Sequence, residues 1–336
     1  MVAAYGLVEV GLPSYLTRFI GREDEIAFLA QLIDGDIPAT ASPTHPPPRR
    51  CRLLTLTGVG GSSKTRLALE VARDFTRAET DGVGGFADGV HWVALGPVTV
   101  PDRMPQVVAA AFALREAAGL NPLDALVNRL KDQHTPLVFD NCEHLVTACP
   151  QLSDVLLARC PGLVILATSR TPLHLSNERI FAVPPLHMVE HDATRSTDEH
   201  GPSEAMRLFL DRAAMVTPAY TSTGSTVEAI THICQRLDGL PLAIELSASW
   251  MRVLNVRDLL AEIDRNITFL TSSAPGVAQR HRSMRAVLDS SWSRLAEQDQ
   301  QVFSALAVFV GSFSRDAAEK VAGASLPRSR RWPRSR

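Results

Sequence analysis

Two periodicities alternate along the first half of the chain. Short apolar-rich, β-prone runs fall at Leu53–Thr57, 90–95, Pro136–Asp140, 163–168 and 179–183. Between them lie stretches with helical spacing of apolar positions: 25–33, a pattern through Leu67, Leu69, Val71 and Ala72, then 104–114, 124–131 and 152–158. Continuous apolar runs suit strands buried on both faces, and their alternation with helices predicts a parallel, doubly wound α/β sheet. A ligand of such a sheet belongs at the carboxyl ends of its strands. Beyond Pro185 the strand signal stops. Helical patterns cover 203–215, 227–237, 242–251 and Val256–Arg265, and two more cover 284–295 and 298–308. The expected organisation is a lead-in at 1–12 and a nucleotide-binding α/β domain at 13–186 with a Pro-rich loop at 34–50. A linker at 187–202, a helical domain at 203–275, a partial third domain at 280–323 and a basic tail at 324–336 follow.

The strand Leu53–Thr57 runs into Gly58-Val59-Gly60-Gly61-Ser62-Ser63-Lys64-Thr65, and a helix pattern opens at Lys64. Strand, glycine-rich turn and helix start form the context a phosphate-binding loop requires. The glycines let backbone N–H groups turn inward, and the helix start points its positive end at the same anion. Lys64 is expected to bridge β- and γ-phosphate oxygens and Thr65 to offer its hydroxyl to Mg²⁺. Ser63 stands where the pattern wants glycine. If that position needs a positive φ, its Cβ costs about 1–2 kcal/mol. Weakened nucleotide binding and a tolerated variant whose hydroxyl adds a phosphate contact are the two readings.

Two further strand ends carry chemistry. The strand Pro136–Asp140 delivers Asp140 to the carboxyl edge, where a carboxylate can hold Mg²⁺. Asn141 follows, not a second acid, with Glu143 and His144 beyond. Glu143 either orients an attacking water or takes a surface or helix-capping role, and slow hydrolysis fits this arrangement. Thr168, Ser169 and Arg170 end the strand 163–168, and the Arg170 guanidinium is placed to read a γ-phosphate bidentately. A fourth feature, Gly239-Leu240-Pro241-Leu242-Ala243, separates two helices of the second region.

Composition alters little. The chain has 336 residues, 45% of them hydrophobic, and a net charge of −2. That is enough for one large or two modest cores and gives no global basic field for nucleic acid. The five cysteines form no C-x-x-C pair and read as structural thiols in a reducing compartment. Neither a membrane span nor a secretory leader is visible, so a cytoplasmic location is expected.

Taken in order, Phe19-Ile20-Gly21-Arg22-Glu23, the loop 58–65, the run 137–144 with Asp140-Asn141-Cys142-Glu143-His144, Ala167 to Arg170 and the Gly-Leu-Pro-Leu segment resemble the NB-ARC ATPase core of the STAND class. The bacterial branch, the large ATP-dependent and LuxR-type transcriptional regulators of actinomycetes, is the better match. The segment 282–295 is similar to it as well. The resemblance spans about residues 12–323 and implies an additional-strand P-loop fold with sheet order 5-1-4-3-2, a helical domain and a winged helix. It implies ATP or ADP with Mg²⁺ as cofactors, held by Ile20, Gly21, Gly58, Val59, Gly60, Gly61, Ser62, Ser63, Lys64, Thr65, Arg66, Arg170 and Pro241. Thr65 and Asp140 take the metal, and Lys64, Asp140, Glu143 and Arg170 take the catalytic and sensing roles. Protein partners or self-assembly are expected in the ATP state, DNA contact only through domains not seen in this sequence, and no membrane. The incomplete winged helix and the arginine-rich end read as a truncated or frameshifted tail, or as a basic tail with salt-sensitive affinity for nucleic acid. A nucleotide-weak interaction module and a small-molecule kinase are the competing functional classes.

Overall fold

The computed structural model describes residues 11–34, 51–80, 86–114, 121–188, 201–218, 224–271, 283–293, 295–309 and 314–323. The lead-in before residue 11, loop residues 35–50, linker residues 189–200 and the tail from 324 lie outside the described residues. The chain divides into two compact units, Met1–Ile267 and Thr268–Arg336.

The first unit is built on five parallel strands: β1 (Leu53–Thr57), β2 (His91–Ala94), β3 (Pro136–Asp140), β4 (Val164–Thr168) and β5 (Arg179–Ala182). Their order is β5-β1-β4-β3-β2, as the resemblance implied. The three central strands are buried at every position, which is why their sequences are continuous apolar runs. Strand alternation sorts their side chains into two cores. Leu53, Val93, Leu137, Phe139, Ile165 and Ala167 face α3 (Met104–Ala111), α4 (Pro122–Leu130) and α5 (Ala148–Arg159). Leu54, Leu56, Trp92, Val138, Val164 and Leu166 face α1 (Glu23–Asp34) and α2 (Lys64–Thr80).

Where element ends depart from expectation, local chemistry accounts for them. α3 stops at Ala111 instead of running to 114, because Ala113 takes a left-handed φ of +54°. α5 begins four residues early with Pro150 in its first turn, where the missing N–H costs no helical bond. Asn121 caps α4 by accepting from the Leu123 amide, with Pro122 as the first helical residue.

Four helices complete this unit: α6 (Glu204–Val216), α7 (Gly224–Arg236), α8 (Pro241–Ser249) and α9 (Val256–Arg265). α6 packs on α8, and α7 on α9. Ser203 and Asn255 cap α6 and α9 with their side-chain oxygens. The α7–α8 turn carries Asp238 and Gly239, both at positive φ. A Cβ on Gly239 would lie 2.6 Å from the Leu186 carbonyl oxygen, so only glycine lets this turn meet the end of the sheet region.

In the second unit the described residues hold α10 (Met284–Trp292), α11 (Glu297–Leu306), α12 (Arg315–Ala322) and an antiparallel bridge between Thr271 and Ser283. α11 and α12 pack through Val302, Leu306 and Ala318. The sequence pattern had not signalled α12, a short helix capped by Ser314 and closed by Gly323 at φ +60°.

Candidate phosphate and nucleotide site

The turn after β1 bends back over the start of α2. Gly58 and Gly61 take φ of +151° and +83°, and Ser63 takes +66°. The position that the pattern assigns to glycine therefore does carry a left-handed backbone here, with a Cβ on it. α2 follows at once, its first turn anchored by the Leu67 amide on the Ser63 carbonyl at 2.9 Å. Its leading N–H groups have no intrahelical partners and lie beside the loop.

Lys64 curls back into that loop and donates to the Gly58 and Val59 carbonyls at 2.7 and 2.9 Å. Burial lowers its pKa to about 8; Glu143 and Asp140 pull it up and Arg170 pushes it down. The Thr65 hydroxyl donates to Asp140 Oδ1 at 2.7 Å. Thr168, at the end of β4, donates to the same oxygen at 2.6 Å and accepts from the Asn141 amide at 2.8 Å. Asn141 can deliver that amide because it turns left-handed, at φ +68°. Two hard oxygen donors from β3 and α2 thus converge beside the lysine, which is a donor set that suits a divalent cation such as Mg²⁺.

Arg170 and Glu143 meet at the same edge, Nε to Oε1 at 3.2 Å, both largely buried. Glu143 sits in a 3-10 turn, Cys142–His144, whose His144 ring bonds the Val98 carbonyl at 2.8 Å. With its amide turned, Asn141 donates to both Glu143 carboxylate oxygens at 2.9 and 3.2 Å. Glu143 is therefore engaged by its neighbours and not directed alone at the phosphate loop. Gly60 and the exposed Val59 form the outer rim of the loop.

The remaining expected residues gather beyond Ser63. Ile20, Ser63, Arg66 and Pro241 line one small cavity together with Phe19 and Glu245. Gly21, at φ +77°, lies against Glu204, whose carboxylate accepts from the Arg22 amide at 2.5 Å and from the His187 amide at 2.9 Å. α8 touches the phosphate loop directly: the Leu242 amide donates to the Gly61 carbonyl at 3.2 Å.

Several site residues escaped the sequence reading. Arg22 is buried, bonds the Ser62 and Pro184 carbonyls at 3.2 and 2.7 Å, and leaves Nε and Nη1 without a hydrogen-bond partner. The Ser62 hydroxyl is likewise buried and unbonded. Unmatched buried donors beside a phosphate loop are what a polar ligand would satisfy. A charged residue inside an otherwise apolar hhGR segment was the available signal for Arg22. Thr168 was visible at its strand end but not as a partner of Asp140. Arg212 and Glu245 gave no signal, since each lies within an ordinary helical pattern.

No protein-family profile matches the chain. It is 35% identical over 274 residues to the protein named "Putative HTH-type transcriptional regulator Rv0890c" of Mycobacterium tuberculosis; the match takes in 82% of this chain but 29% of that one. It is 31% identical over 308 residues to the uncharacterized protein Rv0894 of the same organism, covering 91% of this chain and 69% of that one. Among solved structures, the STAND protein with a tetratricopeptide repeat sensor PH0952 from Pyrococcus horikoshii aligns over 93% of this chain and 38% of its own, with TM-score 0.42 and 12% identity.

Proposed function

The chain belongs to the family of the Mycobacterium tuberculosis protein Rv0894, and from that premise we propose that it is an ATP/ADP-binding regulatory switch of a signal-transducing transcriptional regulator. The observation that carries this is the convergence of Lys64, Thr65 and Asp140 at the end of a parallel sheet, with Thr65 and Asp140 bonded at 2.7 Å. Mg²⁺ would supply charge neutralisation there, held by Asp140 and Thr65. Lys64 would exchange two loop carbonyls for phosphate oxygens. Thr168 keeps the Asp140 carboxylate oriented. Arg170 would read a terminal phosphate by leaving Glu143, so a γ-phosphate would change a buried ion pair. Asn141 in place of a second acid, and the engagement of Glu143, favour slow hydrolysis used for switching. The link to transcription rests on relatives of which this chain spans 29%, so it extends to the whole regulator by analogy.

The test is calorimetric titration of the full chain with ADP and ATP, with and without Mg²⁺. Micromolar or tighter binding that Lys64→Ala abolishes is expected. A folded protein that binds neither nucleotide would sink the switch reading. A second reading, a nucleotide-weak interaction module, is favoured by one feature, the Cβ of Ser63 on a left-handed backbone.

A further inference from the structure

The base end of the proposed pocket is narrow. The cavity among Phe19, Ile20, Ser63, Pro241 and Glu245 holds about 10 Å³, room for one water. Small-molecule sites run to about 300 Å³ and more. A purine ring can enter only if the walls part, and those walls come from the segment before α1, from α2, from α6 and from α8.

One carboxylate ties all four together. Glu245 Oε1, on α8, accepts from Arg212 Nε and Nη2 of α6 at 3.2 and 2.9 Å. It pairs with Arg66 Nη1 of α2 at 3.6 Å. Each arginine also grips the segment before α1. Arg212 Nη2 donates to the Arg18 carbonyl at 2.9 Å. Arg66 donates to the Thr17 hydroxyl and carbonyl at 3.0 and 2.7 Å. Its guanidinium also lies 5.1 Å from the Tyr15 ring centre and 5.6 Å from that of Phe19. Arg212 is paired with Asp211 as well. Both guanidinium groups are largely buried, with side chains 15% and 8% exposed, while Glu245 is 32% exposed. Without Glu245, Arg212 would keep Asp211, but no anion would bridge it to Arg66. Burial and Arg212 lower the Arg66 pKa, and Glu245 is the largest influence raising it.

We propose that Glu245 is a latch: by holding Arg66 and Arg212 together it keeps the base pocket narrow and sets the rate at which nucleotide enters. The proposal rests on the nucleotide reading above. Glu245 acts through the arginines and is a positioning residue. The latch is made while the walls stand too close for a purine, so it must open before a base can enter, and weakening it raises the rate of entry. Affinity rises with that rate. A residue that contacts the ligand would lose affinity when replaced, and one that merely supports the fold would not speed entry.

The experiment is stopped-flow uptake of a fluorescent mant-ADP by the full chain, with release chased by excess ADP and equilibrium titration alongside. Glu245→Gln is expected to take up mant-ADP about tenfold faster and to bind it about tenfold tighter, with release within about twofold of the parent, as loss of one charge-assisted pair would give. Glu245→Asp should return most of the slow uptake. Unchanged uptake in Glu245→Gln overturns the latch while leaving nucleotide binding intact. An affinity loss in Glu245→Gln also overturns it, making Glu245 a ligand contact. Failure of the parent to bind mant-ADP removes the nucleotide reading and the latch with it.

Discussion

Ser63 combines a side chain with a φ of +66°, and the strain is local enough to measure. Replacing it with glycine removes the left-handed penalty of about 1–2 kcal/mol but adds unfolded-chain entropy of about 0.5–1 kcal/mol. Ser63→Gly should therefore raise stability by about 0.5–1 kcal/mol in urea unfolding. A large gain in ADP affinity in the same variant would mark the serine as a weakening substitution, and no change would mark it as tolerated. Lys64 gives a pH signature. Its pKa is lowered to about 8 in the folded protein from an ordinary 10.5, chiefly by burial. Between those values the unfolded chain holds a proton that the folded chain has lost. The Lys64 contribution to nucleotide-free stability therefore rises as pH climbs through that window. Phosphate favours the charged amine, so ADP binding near pH 8 should take up a proton and weaken as pH rises further. Calorimetry in buffers of different ionisation enthalpy reads that proton directly. Both residues were legible in the sequence because the phosphate loop is a local pattern. Arg22, Arg212 and Glu245 were not, because their significance depends on partners up to 194 positions away.

At the scale of elements, the strands were read nearly residue for residue: burial on both faces makes the three central ones apolar runs. Helix ends were less legible. α3 ends at a left-handed alanine, a choice that no periodicity announces, and α5 enters through a proline that would ordinarily signal a break. The Gly-Leu-Pro-Leu turn would not by itself have exceeded a plain connection between helices. Its role comes from α8 lying on the phosphate loop, where a Cβ on Gly61 would come within 2.9 Å of the Leu242 Cβ. Gly61→Ala adds that crowding to a backbone at φ +83°. It should cost about 1–3 kcal/mol in thermal unfolding and weaken ADP binding, whereas Val59→Ala, on the exposed rim, should change stability by no more than about 0.5 kcal/mol.

For the molecule as a whole, the proposed nucleotide site lies within Met1–Ile267: β1, α2, β3, β4, the segment before α1, α6 and α8 all belong to that unit. A chain ending at Ile267 is expected to fold and to bind ADP with a dissociation constant within about threefold of the full chain, by calorimetry. Loss of binding on that truncation would mean that the second unit contributes to the site. The sequence announced the α/β sheet and the helices after it, but not that they share one compact unit, since that follows from distant contacts such as the Arg22 amide on the Glu204 carboxylate and the Leu242 amide on the Gly61 carbonyl. All five cysteines are free and buried. A maleimide dye should pass over them in the folded protein and react only with a thiol placed on the surface, for instance at Val253, which is 67% exposed. The native chain thus offers a dark background for site-specific fluorescence, and opening of α6 and α8 from the phosphate loop can be followed on single molecules without first removing a cysteine.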